Sequence, residues 1–274
     1  MSVVKVDRRI VHVLIVVGVV IAAWVADACV AMHSEHKIAQ EVKENSRLEN
    51  SPQVYIGGTP YLWAAGSKEI PYLQVKALDV EVPKLGMVNA STVLRDITVT
   101  PEQVVSGDIE GAPVSTYSRG ISLDGVALGR LLGITDLSIA NPDDISPSGG
   151  VSAEAELTGT LPGDKEKSTA MVTLRLVGPE FRMEVYGTDD PRLKEAFSLN
   201  FDTRELPLPA QATMVRLQGG TIFFEVQRRN IKVQMAQLSP LEIEGSEQRA
   251  VEEAEKKAAD TANKVGPAPK EGES

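Results

Sequence analysis

Few residues in this chain have types and spacings that could do chemistry. His33-Ser34-Glu35-His36 brings two histidines and a carboxylate close together, but a zincin places its pair one helical turn apart with Glu at a different spacing and needs a third ligand. That stretch reads as the solvated face of a helix. His12 is the remaining histidine, so no imidazole base follows His36. With no Gly-x-Ser-x-Gly elbow either, the parts of a Ser-His-Asp hydrolase are missing. Asp143-Asp144 and Asp189-Asp190 are acidic pairs in Pro-containing turn sequence. A two-carboxylate glycosidase need not use neighbouring acids, so a hydrolase stays open as a distant third reading. Gly57-Gly58 is followed by no further phosphate-loop pattern and reads as a turn.

Cys29 is the single cysteine, which excludes an internal disulfide and a Cys-based zinc site. It follows an apolar run where a lipoprotein cysteine would stand, yet Ala26-Asp27-Ala28 puts an acid where a lipobox carries a small neutral residue. An unmodified thiol at the membrane exit and an Ala-x-Ala cleavage ahead of Cys29 are the other readings. No metal and no cofactor is expected.

The 274 residues carry 28 Lys+Arg against 38 Asp+Glu, a formal charge of −10. Nucleic-acid binding needs clustered positive charge and is not expected. With two Trp, five Tyr and five Phe, the interior must be built from Val, Leu, Ile and Ala, which suits an aliphatic partner better than a base or a cofactor ring.

These residues must be positioned by the elements around them. Residues 10–26 carry no formal charge and follow Lys5, Arg8 and Arg9. They are long enough to span as a signal-anchor or to be cleaved as a signal, and the basic flank keeps the N-terminus cytoplasmic. The expected organisation is a basic flank (1–9), a transmembrane signal-anchor (10–30), an extracytoplasmic domain (31–245) and a charged, partly disordered tail (246–274). From Met32 to Asn50 a helix with a narrow apolar stripe of Ile38, Val42 and Leu48 is expected. Beyond Ile70, period-two alternation recurs in Leu78/Val80/Val82, Val93/Ile97/Val99, 151–157, 172–176, 181–185, 197–201, 222–226 and 231–235. One interruption, Ser122–Gly133, has Val126, Leu128, Leu131 and Leu132 near helical spacing. Its Gly125, Gly129 and Gly133 fit close helix packing or chance.

The fold expected is mainly β (α+β), a large curved antiparallel sheet after one transmembrane helix. So much apolar sheet face with so little helix can curl around a helix and leave a cavity for a lipid-like ligand, or close as a filled sandwich. Pro52-x-Val54-x-Ile56-Gly57-Gly58-x-Pro60-Tyr61-Leu62, followed by Leu78-Asp79-Val80, Gly86-x-Val88 and the Leu123–Leu132 helix, resembles the LmeA-like phospholipid-binding family of actinobacterial envelope proteins from about Glu41 to Val185. The family reads Phe where Tyr61 stands.

The resemblance implies a tubular lipid-binding fold, with the sheet wrapped around one or two helices. It also implies phospholipid binding, and a role in envelope lipid or lipoglycan biogenesis at the cytoplasmic membrane, facing the periplasm-like space. Burial of acyl chains, at about 0.8 kcal/mol per methylene, rather than bond-making is the mechanism this implies. The expected lipid-binding residues are Tyr61, Leu62 and Trp63; Leu123, Val126, Leu128, Leu131 and Leu132; and Phe181, Met183, Val185, Phe197 and Leu199. Arg119 and Arg130 flank the short helix and could meet a lipid phosphate. The alternative is a closed β module that binds an envelope protein partner.

Overall fold

The computed structural model describes residues 8–46, 48, 50–82, 85–142 and 150–241. The acidic pair at Asp143-Asp144 and the tail from residue 246 lie outside them.

Helix α1 (Arg8–Glu44) is continuous, so the membrane-spanning segment and the polar helix expected after it are one rod of about 55 Å. Its first half exposes Val13, Leu14, Val16, Val19 and Trp24, whereas its second half buries Asp27, Ser34, Ile38 and Val42. Those four positions recur at seven- and four-residue steps and therefore share one face. Among the described residues α1 is the one helix long and apolar enough to cross a membrane.

Eleven strands follow, all paired antiparallel, in two sheets rather than one meander. The larger sheet runs β1-β2-β3-β4-β11-β10, from β1 (Gln53–Gly57), β2 (Glu69–Val82), β3 (Gly86–Thr98), β4 (Pro113–Leu123), β11 (Thr221–Lys232) and β10 (Met214–Gln218). The smaller sheet runs in chain order through β5 (Ser138–Ala140), β6 (Ser152–Thr160), β7 (Lys167–Val177), β8 (Glu180–Tyr186) and β9 (Leu199–Asp202). It is an excursion between β4 and the β10–β11 hairpin.

One face of the larger sheet is covered twice over. Toward one end Ile38 and Val42 of α1 pack with Leu73, Val75, Leu94, Ile97, Val114 and Tyr117. Short helices α2 (Trp63–Ser67) and α3 (Pro101–Ser106) close that cluster through Ala64 and Val104. Toward the other end Ala90, Ile121, Leu123, Phe224 and Val226 meet Ala155, Leu157, Val172, Leu174, Phe181 and Met183 of the smaller sheet. Phe181, Phe201 and Phe224 pack there with centroids 4.8–5.6 Å apart, in the tilted and edge-on geometries aromatic rings prefer.

Two of the expected strand faces are corrected. Leu78 is exposed and only Val82 of its set is fully buried, because β2 begins at Glu69 and buries Leu73, Val75 and Ala77 before a bulge between Ala77 and Val80 shifts the register. Val93 lies on the uncovered face while Ile97 is buried, because Asp96 takes φ 54° and inverts the alternation. Pro71, Asp96, Ser115 and Asn230, the last with φ 53°, fall at the same level on four neighbouring strands. The sheet bends along that row, and burial accordingly jumps three residues, from Ile70 to Leu73, Leu94 to Ile97 and Val114 to Tyr117.

The short helix is found as α4 (Gly125–Leu132). Asp124 caps it by accepting from the amides of Val126 and Ala127, at 3.0 and 2.9 Å, and Gly133 ends it with φ 73°. A Cβ on Gly125 or Gly129 would collide with the carbonyl of Leu137 or Ile134. Close packing, not chance, accounts for those two glycines.

Candidate functional site

The face of the larger sheet that no described residue covers is a trough of about 710 Å³ crossed by β2, β3, β4, β11 and β10, within the usual size range of ligand clefts. Antiparallel register places its residues in rows, because directly paired residues point the same way. The row at one end reads Tyr72, Arg95, Thr116, Arg229. The next reads Gln74, Val93, Ser118, Gln227, and further rows carry Lys76, Ser91, Gly120 and Glu225, then Asn89, Ser122, Phe223 and Arg216. Small residues on β4 keep the floor low. Gly120 has no room for a Cβ, which would press on the Phe224 carbonyl and the Glu225 side chain.

Charge in the trough is uneven. Arg216 is neutralised by Glu225 at 2.6 Å, which also accepts from Ser118, and its guanidinium lies over Phe223, 4.3 Å from the ring centroid. Arg95, which lines the trough, and Arg229, which follows Thr116 in the same row just outside the lining, are exposed and have no carboxylate partner among the described residues. They stand two strands apart, about 10 Å between backbones, with the Thr116 hydroxyl between them. Arg95 lies over the Tyr72 ring at 5.4 Å, and Tyr55 packs beside Tyr72 with centroids 6.2 Å apart. Burial pushes the Tyr72 hydroxyl above its ordinary pKa against the pull of Arg95, so it remains a neutral donor. The end near Arg95 therefore offers one guanidinium group in the trough and a second, Arg229, at its rim, neither with a carboxylate partner among the described residues, beside an aromatic pair. Along the trough, Val93, Leu78 and Phe223 offer apolar surface.

The Gly57–Leu62 motif meets α1 where the apolar segment ends. Asp27, 7% exposed, accepts from the amides of Tyr61 (2.9 Å) and Leu62 (2.7 Å). Farther along α1, Glu35 accepts from the Ile56 amide at 2.9 Å. The Tyr61 hydroxyl donates to the Val104 carbonyl at 3.0 Å and lies 3.1 Å from the Ser34 hydroxyl. Burial raises its pKa, outweighing the Ser34 bond, so it keeps its proton. Beside the motif is a smaller cleft of about 280 Å³, lined in part by Pro60, Tyr61, Trp63 and Pro71.

The thirteen residues expected to line one acyl groove are divided by the structure. Tyr61 and Leu62 belong to the cluster beneath α1. Leu123, Leu128, Phe181, Met183 and Phe197 are buried between the sheets, with Leu131, Leu132, Val185 and Leu199 partly buried against them. Trp63 and Val126 stand apart at 71% and 68% exposure. Of the two arginines, Arg119 is buried and donates to the Gln237 carbonyl at 2.8 Å, while Arg130 is exposed on α4, lying across Gly86.

Sequence reasoning missed the trough. Its signal was the run of small polar residues at alternate positions of β4, but concavity and the Arg95/Arg229 row exist only once the register is known. The buried Arg119 also interrupts the apolar alternation of β4, which kept that strand from being recognised.

Comparison with known proteins finds no curated protein and no solved structure that matches. A family model does match, over residues 25–270, a span that takes in Asp27, the motif and both sheets. The chain belongs to the LmeA-like phospholipid-binding family.

Proposed function

We propose that the chain is a single-pass membrane protein whose domain stands on the extracytoplasmic side and binds one phospholipid in the trough, for presentation or transfer during assembly of envelope lipids or lipoglycans. The observation that carries this reading is the row Tyr72-Arg95-Thr116-Arg229, in which Tyr72, Arg95 and Thr116 line the end of a cleft with apolar surface beyond them, and Arg229 stands next in register with, like Arg95, no carboxylate partner among the described residues. A phosphodiester fits it. Guanidinium groups pair with phosphate oxygens through parallel hydrogen bonds, and the Thr116 hydroxyl supplies a further donor. Val93, Leu78 and Phe223 then cover part of the acyl chains, each buried methylene contributing about 0.8 kcal/mol. Nothing in this mechanism makes or breaks a bond.

A second location for the acyl chains is the interior between the sheets, where Leu123, Leu128, Phe181, Met183 and Phe197 lie. It is favoured by the partly exposed rim of Leu131, Leu132, Val185 and Leu199, through which a chain could enter if the sheets part. The experiment is photo-crosslinking of the full chain in nanodiscs containing a phospholipid with a diazirine on one acyl chain, followed by peptide mapping. Adducts on β2, β3 and β11 are expected. Adducts on α4 and β8 would move the acyl site to the interior, and adducts confined to α1 would refute lipid binding by the domain.

A further inference from the structure

The segment from Gly57 to Ser67 carries no charge in a chain that is 24% charged, and it exposes Gly58, Thr59, Pro60, Trp63, Gly66 and Ser67. Trp63 is 71% exposed, an unusual state for the side chain with the largest apolar surface. Its position along α1 is set by Asp27, which holds the amides of the two preceding residues, Tyr61 and Leu62. The middle of the apolar run 10–26 falls at Gly18. At 1.5 Å per residue Asp27 lies about 14 Å beyond that point, close to the half-thickness of about 15 Å of a bilayer's hydrocarbon core.

We infer that Trp63 and the charge-free Gly58–Ser67 surface rest in the bilayer interface, so that the domain is seated on the membrane and not suspended above it. The occupant this surface fits is the headgroup boundary of the same bilayer that α1 crosses. Tryptophan is favoured there because its ring is apolar on its body and hydrogen-bonding at one edge. The residues from Gly58 to Ser67 carry no ion to the hydrocarbon edge, and the first charges, the exposed Lys68 and Glu69, follow the segment, with Glu69 sharing a cleft with Trp63 at the headgroup side. Asp27, whose burial there would otherwise be costly, is shielded by the two amides that it binds. A second contact, from the Tyr61 hydroxyl to Val104 and Ser34, holds the segment to α1 and α3 so that it cannot swing away.

This inference rests on the reading of α1 as a membrane anchor, and the chain's two tryptophans separate the two claims. Full-length Trp24→Phe retains only Trp63, and full-length Trp63→Phe retains only Trp24. Each is reconstituted into phosphatidylcholine vesicles brominated on the acyl chains either near the headgroup or near the chain ends. The expected result is loss of Trp63 emission with bromine near the headgroup, less loss with bromine at the chain ends, and a blue-shifted maximum. Trp24, about 9 Å from the run's middle, is quenched in either case. Trp24 quenched while Trp63 stays unquenched and open to iodide overturns the inference and leaves the anchor standing. Trp63 quenched with Trp24 unquenched supports the interfacial surface and overturns the anchor; neither quenched overturns both.

Discussion

Asp27→Ala removes the carboxylate that ties the Gly57–Leu62 motif to α1. Two amides, at 2.9 and 2.7 Å, lose their acceptor, and the alanine methyl offers no replacement. A hydrogen bond to a charged group contributes about 1.5–3 kcal/mol. The two share one carboxylate, whose own desolvation on folding offsets part of the gain, so a loss of about 3 kcal/mol is expected. For a domain of this size about 2–4 °C accompanies each kcal/mol, which gives a fall of about 6–12 °C in Tm. Asp27→Asn retains one acceptor oxygen and loses about half as much. The assay is thermal unfolding of the full chain in detergent micelles, with amide hydrogen exchange at Tyr61 and Leu62 as the local readout. Asp27→Ala with Tm within about 1 °C of wild type and unaltered exchange at those amides would refute the reasoning.

Other variants test the remaining contacts. Arg95→Ala and Arg229→Ala should each weaken binding of an anionic phospholipid by about tenfold, or 1.4 kcal/mol, and reduce its salt dependence, measured by titration with short-chain lipid. Tyr61→Phe should cost about 1 kcal/mol, seen as a fall of about 2–4 °C in Tm, because the Val104 carbonyl loses its tyrosine donor. The Asp136 carboxyl is held below its ordinary value of 3.8, first by the Thr160 amide, then by the Thr160 hydroxyl and Lys167. A carboxylate with a lowered folded pKa adds stability above its unfolded value, and that stability is lost as pH falls through the folded one. Asp136→Asn should therefore lower Tm at neutral pH, with the two curves converging below pH 3.8, as followed by circular dichroism.

The apolar helix, the alternating strands and the Asp124-capped helix were legible because each is a local pattern of period and punctuation. Ala153, Ala155 and Leu157, or Val172, Leu174 and Leu176, alternate within their own strands and are buried as the alternation demands. The bend was not legible. Asp96 and Asn230 reverse the alternation through a left-handed φ that neither residue type requires, and their alignment across the sheet depends on pairings between distant segments. The division of the strands into two sheets has the same origin, since β4 pairs with β11 across the whole excursion of β5 to β9. Asp27 looked like a flaw in a lipobox, but its role lies in two amides more than thirty residues away. Arg229 stood in a basic end of β11 until register put it across Thr116 from Arg95.

The most direct test of the central claim is native mass spectrometry of the full chain released from nanodiscs of mixed phospholipid, beside Arg95→Glu/Arg229→Glu released in the same way. The account predicts one phospholipid retained per chain, identifiable by solvent extraction, and its loss in the double variant while the fold is kept. A wild-type chain that emerges without lipid, or a double variant that retains lipid as well as wild type, would contradict it.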